Sequence, residues 1–156
     1  MNKELTVFML IGTPGSGKST WASKRENHDA QRIISTDDIR EELSGDPSNQ
    51  SVSAQSFAIA RKRLQEYLSE GHSVVIDATN MYRKTRKDFL DIAKANNVKT
   101  VAVVFEVTKE TAIERNAKRA AAGGRNVPTH VIENMLGKYQ RPDEIEFNEV
   151  VFISKL

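Results

Sequence analysis

Apolar positions along the chain fall into five short runs separated by longer stretches of helical periodicity. Residues 5–11 (LTVFMLI), 32–35 (RIIS), 73–77 (SVVID), 100–107 (TVAVVFEV) and 150–153 (VVFI) are too short for independent helices. They are rich in β-branched residues, as strands buried on both faces of a parallel sheet should be. Between them, Phe57, Leu64, Tyr67 and Leu68 recur at helical spacing up to Gly71. Phe89, Leu90 and Ala93 do so ahead of Asn96 and Asn97. Residues 108–122 read as an alanine-rich helix with a Thr-x-x-Thr start and a Gly123-Gly124 stop, and residues 129–139 as another after Pro128. Alternating strand and helix predicts a three-layer α/β fold around a parallel sheet, with ligands outside the C-terminal ends of the strands. Residues 45–53 (GDPSNQSVS) are polar and turn-rich, and are expected to form a mobile loop. With no repeat, low-complexity tract or linker, residues 1–156 are expected to form one domain.

Composition narrows the chemistry. The chain has no cysteine, which excludes disulfides, a thiol nucleophile and a cysteine-type zinc site. His28, His72 and His130 lie in no metal-ligand spacing. The net charge of +2 neither demands nor excludes a nucleic-acid partner. No signal peptide or membrane-length apolar run is visible, so a cytoplasmic protein without a membrane partner is expected.

The stretch between the first predicted strand and the first helix carries the chemistry. Gly12, Thr13, Pro14, Gly15, Ser16, Gly17, Lys18 and Ser19 match G-x-x-x-x-G-K-[ST] at every fixed position, and Thr20 opens the helix. Such a loop turns backbone N–H groups around a phosphate chain. Lys18 would supply charge to the terminal phosphates and the Ser19 hydroxyl would ligate Mg²⁺. ATP or another nucleoside triphosphate, with Mg²⁺, is the expected cofactor.

Each following strand end offers candidates. Asp37, Asp38 and Arg40 follow the second strand. One aspartate could cap the next helix, or could accept a proton from an incoming hydroxyl while Arg40 orients the substrate. Asp77 ends the third strand, where phosphate-loop proteins hold Mg²⁺, and Asn80 follows it. Arg83, Lys84, Arg86 and Lys87 then form a basic run that is either a solvated helix face or a polyanion groove. Arg115 and Arg119 share one helix face ahead of Gly123, Gly124, Arg125 and Asn126, which suggests a lid over about residues 115–128. The alternative is an exposed helix pairing them with Glu110 or Glu114. Arg141 is placed to reach a nucleotide base, and Trp21 reads as core or adenine-side packing.

The set GTPGSGKSTWA, STDDIR, VVIDATN, ERNAKR and NVP resembles the 5′-hydroxyl polynucleotide kinase domain of phage and bacterial end-healing enzymes, and more broadly the AAA_33-type group of small phosphate-loop kinases. The resemblance implies an adenylate-kinase-like core with strand order 2-3-1-4-5. It implies Asp37 as general base for a 5′-hydroxyl nucleic-acid end and Arg40 as holder of the adjacent 3′-phosphate. Arg119 would contact the transferred phosphoryl with Arg115 in support, and the insertion-like AAAGGR leaves open whether Arg125 replaces Arg119. The metal would lie on Ser19 and Asp37, and Asp77, Asn80 and Arg83 would line the acceptor side. Asp77 matches only loosely, because the family's spacing before Thr-Asn varies. The chain stops soon after the fifth strand, so the accompanying phosphatase domain is expected to be absent. Related kinases can form homo-oligomers. A kinase for a small hydroxyl metabolite, nucleoside or antibiotic fits the same loop and the same Asp37, and a nucleotide-dependent switch is a third alternative.

Overall fold

The computed structural model describes residues 4–25, 31–124 and 126–153. Its strands are β1 (Thr6–Gly12), β2 (Arg32–Ser35), β3 (Val74–Asp77), β4 (Lys99–Phe105) and β5 (Glu149–Phe152). The helices are α1 (Lys18–Arg25), α2 (Thr36–Ser44), α3 (Ser53–Ser69), α4 (Arg83–Ala95), α5 (Lys109–Ala121) and α6 (Thr129–Lys138). All strand pairs are parallel, in the order β2-β3-β1-β4-β5. This is the order implied by the family resemblance.

Alternate residues of the central strands pack on opposite faces, which is why their apolar runs are continuous. Val7, Met9, Ile11, Ile34, Val74, Ile76, Ala102 and Val104 form one core with Ile39 of α2, Leu64 of α3 and Phe89 of α4. Leu10, Val75, Val101, Val103 and Phe105 form the other with Ala22 and Trp21 of α1. Trp21 lies edge-on to Phe105, with ring centroids 6.5 Å apart, and so belongs to the core. Ala112, Val127 and Ile132 join α5 to α6. Register brings the strand ends level: Ser35 pairs with Asp77, and Gly12 with Phe105. Predicted strand bounds shift by one or two residues, and Glu106 and Val107 leave β4 to lead into α5.

Residues 45–53 are not an open loop. Asp46 Oδ1 accepts from Ser48 N–H, Asn49 Oδ1 accepts from Ser51 N–H, and residues Gln50–Val52 form a 3₁₀ turn. Among the described residues no helix is long and apolar enough to cross a membrane.

One buried ion pair joins distant parts of the fold. Arg86 of α4 is 0 % exposed. It donates to both oxygens of Glu146, at 2.7 and 2.9 Å, and to the Asn80 carbonyl at 2.9 Å. Removing one partner strands a buried charge, so Arg86→Ala should lower unfolding stability by about 3–5 kcal/mol. Replacing both partners with apolar residues, as in Arg86→Met with Glu146→Leu, should cost less than either single change. Urea denaturation of the single and double variants checks this.

Candidate active site

A cleft of about 200 Å³ opens at the C-terminal ends of β1 and β3. Its walls come from the phosphate loop (Pro14, Gly15, Gly17, Lys18, Ser19, Thr20), from Asp37, from Asp77 and Thr79, and from Arg115 and Arg119. Four segments far apart in sequence therefore meet here.

The loop takes its shape from glycine. Gly15 and Gly17 have φ of +79° and +106°, a region L side chains rarely adopt. A Cβ on Gly15 would also sit 3.2 Å from the Arg115 Cβ and 3.1 Å from the Asn116 N, so Gly15 lets α5 rest directly on the loop. The Lys18 ammonium donates to the Gly12 and Thr13 carbonyls at 3.0 and 2.8 Å. Arg115 Nη1 reaches the Ser16 carbonyl at 3.4 Å.

The two strand-end aspartates take different partners. Ser19 Oγ donates to Asp77 Oδ2 at 2.9 Å. Asp37 is paired with Arg40, whose Nε donates to the Pro47 carbonyl at 2.8 Å. Asp37 also avoids capping duty, because the cap of α2 is Ser35, whose hydroxyl accepts from Asp38 N–H. Burial raises the Asp77 carboxyl above its ordinary value, and Asp37 adds to this, while Lys18, Ser19 and Arg119 oppose it. Asp38 is raised as well, by burial first and then by Asp77 and Asp37. The carboxylates at this end of the sheet thus repel one another, which favours a bound cation.

A hydroxyl and a buried carboxylate in contact suit Mg²⁺, which is bound through one or two protein oxygens and keeps its remaining waters. Ser19 and Asp77 would hold it, and it would neutralise phosphate charge when bound. The carboxylate bonded to Ser19 is Asp77, while Asp37 of the expected pair Ser19 and Asp37 lines the same cleft.

Other expected residues are placed as follows. Arg40 is buried and does not line the cleft. Its guanidinium is turned onto Asp37, so it orients the carboxylate from behind. Thr13 faces away from the cleft, and Gly12 and Ser16 lie beneath it as loop backbone. Asn80 is 1 % exposed, with φ of +48°, and its amide donates to the Leu10 carbonyl at 2.8 Å. It clamps β1 to the turn after β3 and does not line the cleft. Arg83 lies outside the cleft, 3.5 Å from Asp143 and 4.0 Å from Glu146. Arg141 is held by Glu106 at 3.0 Å, stacks 4.2 Å from the Phe152 ring centroid and does not line the cleft. Arg125 lies outside the described residues.

Two features near the end of α5 had no sequence signal. A Cβ on Gly124 would fall 2.7 Å from Arg119 Cγ, so Gly124 is where the stem of Arg119 packs. Asn126 N–H donates to Ser48 Oγ at 3.2 Å, joining the lid segment to the turn after α2. The Glu146 partner of Arg86 was equally hidden, since it lies 60 residues away.

Fold and site together define a three-layer α/β domain built around a phosphate loop. The family model for the AAA domain AAA_33 matches residues 7–142, and the chain belongs to that family. It is 26 % identical over 153 residues to an L-seryl-tRNA(Sec) kinase of Methanococcus maripaludis, covering 87 % of this chain and 53 % of that protein. It is 29 % identical over 155 residues to a candidate bifunctional polynucleotide kinase/RNA ligase of Autographa californica nuclear polyhedrosis virus, covering 90 % of this chain and 22 % of that protein. A chain of the Pnkp1/Rnl/Hen1 RNA repair complex shares the fold with a TM-score of 0.77 and 23 % identity, over 88 % of this chain and 45 % of that one. This chain thus spans about half or less of the length of these relatives.

The raised Asp77 carboxyl has a stability consequence. The folded chain keeps the proton to higher pH than the unfolded chain, whose ordinary value is 3.8. Charging Asp77 therefore costs the fold progressively as pH rises from 3.8 through the folded value, and the full cost remains above it. Asp77→Asn should raise the Tm at neutral pH and lose that advantage below pH 3.8. The same variant should weaken nucleotide binding only when Mg²⁺ is present. Thermal melts across pH, and nucleotide titrations with and without Mg²⁺, check both halves.

Proposed function

We propose that this chain transfers the terminal phosphoryl group of ATP to the 5′-hydroxyl end of RNA or DNA. The observation that carries the reading is that Asp37 shares the cleft with Lys18, Ser19 and Arg119. A carboxylate on one wall, facing a phosphate loop on the other, suits removal of a proton from a hydroxyl as it attacks phosphorus. The viral relative is named for polynucleotide kinase and ligase activities, and the repair-complex chain shares the fold, which supports a nucleic-acid end as acceptor.

The roles divide among the chain's own residues. Lys18 leaves the Gly12 and Thr13 carbonyls to meet the phosphates. Ser19 and Asp77 would hold Mg²⁺, which would neutralise phosphate charge. Asp37 takes the proton from the acceptor oxygen, and Arg40 fixes the rotamer of Asp37. Arg119, supported by Arg115, meets the charge spread over the transferred group's oxygens. Closure of α5 over the loop excludes water and so limits hydrolysis.

A second reading, a kinase for a smaller hydroxyl acceptor, is favoured by the fate of the basic run. Arg86 is buried against Glu146, Lys87 pairs with Asp91 at 2.7 Å, and Arg83 faces Asp143. The wide groove beside α4 is lined by as many acidic as basic residues, Glu4, Asp91, Asp143, Glu144 and Glu146 against Arg83, Lys84, Lys87, Lys94 and Lys99. It is not a polyanion track. The Methanococcus maripaludis relative is named as a kinase of L-seryl-tRNA(Sec), which supports an acceptor hydroxyl other than a polynucleotide 5′ end.

Incubation with γ-labelled ATP and a 5′-hydroxyl oligonucleotide should label the oligonucleotide. Asp37→Asn should lower kcat by about two to four orders of magnitude, with a smaller change in ATP affinity. Label passing to small hydroxyl compounds and never to an oligonucleotide would establish the second reading instead. Full transfer by Asp37→Asn would remove Asp37 as the base.

A further inference from the structure

A second cavity, of about 230 Å³, lies against the start of the phosphate loop at Gly12 and Thr13. Thr13, Met81, Phe105, Val107, Leu136 and Tyr139 form its walls, with Gly12 at its floor and Glu106 at its rim. We propose that this cavity seats a base of the acceptor strand at or next to the end being phosphorylated. The proposal rests on the nucleic-acid reading above and deepens it.

Size is the first argument. Pockets for drug-sized ligands run to roughly 300–1,000 Å³, so this one suits a single ring system rather than a whole nucleotide. The lining is the second. Met81 is adaptable, Tyr139 and Phe105 offer ring surface, and Val107 and Leu136 complete an apolar wall suited to the face of a base. Charge is the third. Glu106 is already matched, accepting from the Tyr139 hydroxyl at 3.1 Å and from Arg141 Nε at 3.0 Å. Burial, with the Glu106 carboxylate, pushes the Tyr139 hydroxyl well above its ordinary value, so it stays neutral. The cavity therefore calls for an uncharged ring and not a phosphate.

Thr13 supplies the polar handle. It is 2 % exposed, and its Oγ1 is buried without a hydrogen-bond partner. Such a hydroxyl is costly unless something meets it, and every base edge carries donors or acceptors. No side chain could replace a ligand from Gly12, where a Cβ would lie 2.6 Å from Ser16 Oγ and 2.9 Å from the Phe105 carbonyl.

Position ties the cavity to the strand end that carries Asp77. Met81 lines the cavity two residues beyond Thr79, which lines the transfer cleft. Tyr139 packs with the core that carries α2, the helix of Asp37, and Phe105 with the core that carries α1 and Trp21. The turn after β3 thus lines both the cleft and the cavity.

The test is steady-state kinetics on 5′-hydroxyl oligonucleotides bearing an abasic residue at the first or the second position. The abasic change should raise KM about tenfold at one of the two positions, toward the low end for loss of a stacked base. Leu136→Trp, which fills the cavity, should raise KM for the intact strand to the abasic value and make the enzyme indifferent to the abasic change. Val107→Phe serves if Leu136→Trp fails to fold by its circular-dichroism melt. The proposal is overturned if neither abasic position changes KM, or if the filled variants raise KM equally for intact and abasic strands. If no oligonucleotide is phosphorylated, the functional reading fails, and thymidine titrated into protein saturated with ADP and Mg²⁺ decides the cavity. Shifts of the Met81 methyl that Leu136→Trp abolishes would keep it as a base site, and no shift would reject it.

Discussion

Gly12 N–H donates to the Thr79 carbonyl at 3.0 Å, and the Asn80 amide donates to the Leu10 carbonyl. These bonds splice the end of β1 to the turn after β3, where strand pairing has stopped. Arg86 then holds the Asn80 carbonyl from below and is itself held by Glu146. The phosphate loop starts at Gly12 and the buried carboxylate sits two residues before Thr79. The splice therefore sets the distance between them. A shift of one residue here would move Asp77 off Ser19, and the cleft would lose its metal-side wall.

Charge at the cleft is arranged so that nearly everything waits for an anion and a cation. The Lys18 ammonium rests on two carbonyls of its own loop, contacts that phosphate oxygens can replace. Asp77 is disfavoured as an ion by burial and by Asp37, a condition a divalent cation relieves. Arg40 pairs with Asp37 without itself lining the cleft. Each group has a local partner within the fold, and a bound ligand would offer a stronger one.

The basic run on α4 shows how a linear charge pattern can mislead. Four cations within five residues suggest a surface for polyanions. Helical geometry sends them in different directions: Arg86 turns into the protein, Lys87 pairs one turn along with Asp91, and Arg83 meets an acidic turn that closes the segment before β5. Acidic partners 60 residues away, Asp143 for Arg83 and Glu146 for Arg86, offset what the local sequence advertises.

Strand and helix alternation, the phosphate loop, the glycine stops and the candidate aspartates were all legible in the sequence, because each follows from local periodicity or from a spacing that backbone geometry demands. The loop's glycines could be read for their φ values, though not for the close seat that Gly15 offers α5. Tertiary structure decided which aspartate met which partner. Ser35 took the cap and released Asp37, Asp77 reached Ser19, and Arg40 turned from substrate to carboxylate. It also decided that Asn80 would be a clamp and that Gly124 would lie beneath Arg119. These outcomes depend on strand register and on side chains converging from separate crossovers. No one-dimensional pattern carries such information, since the contacts exist only once the sheet has brought its strand ends level.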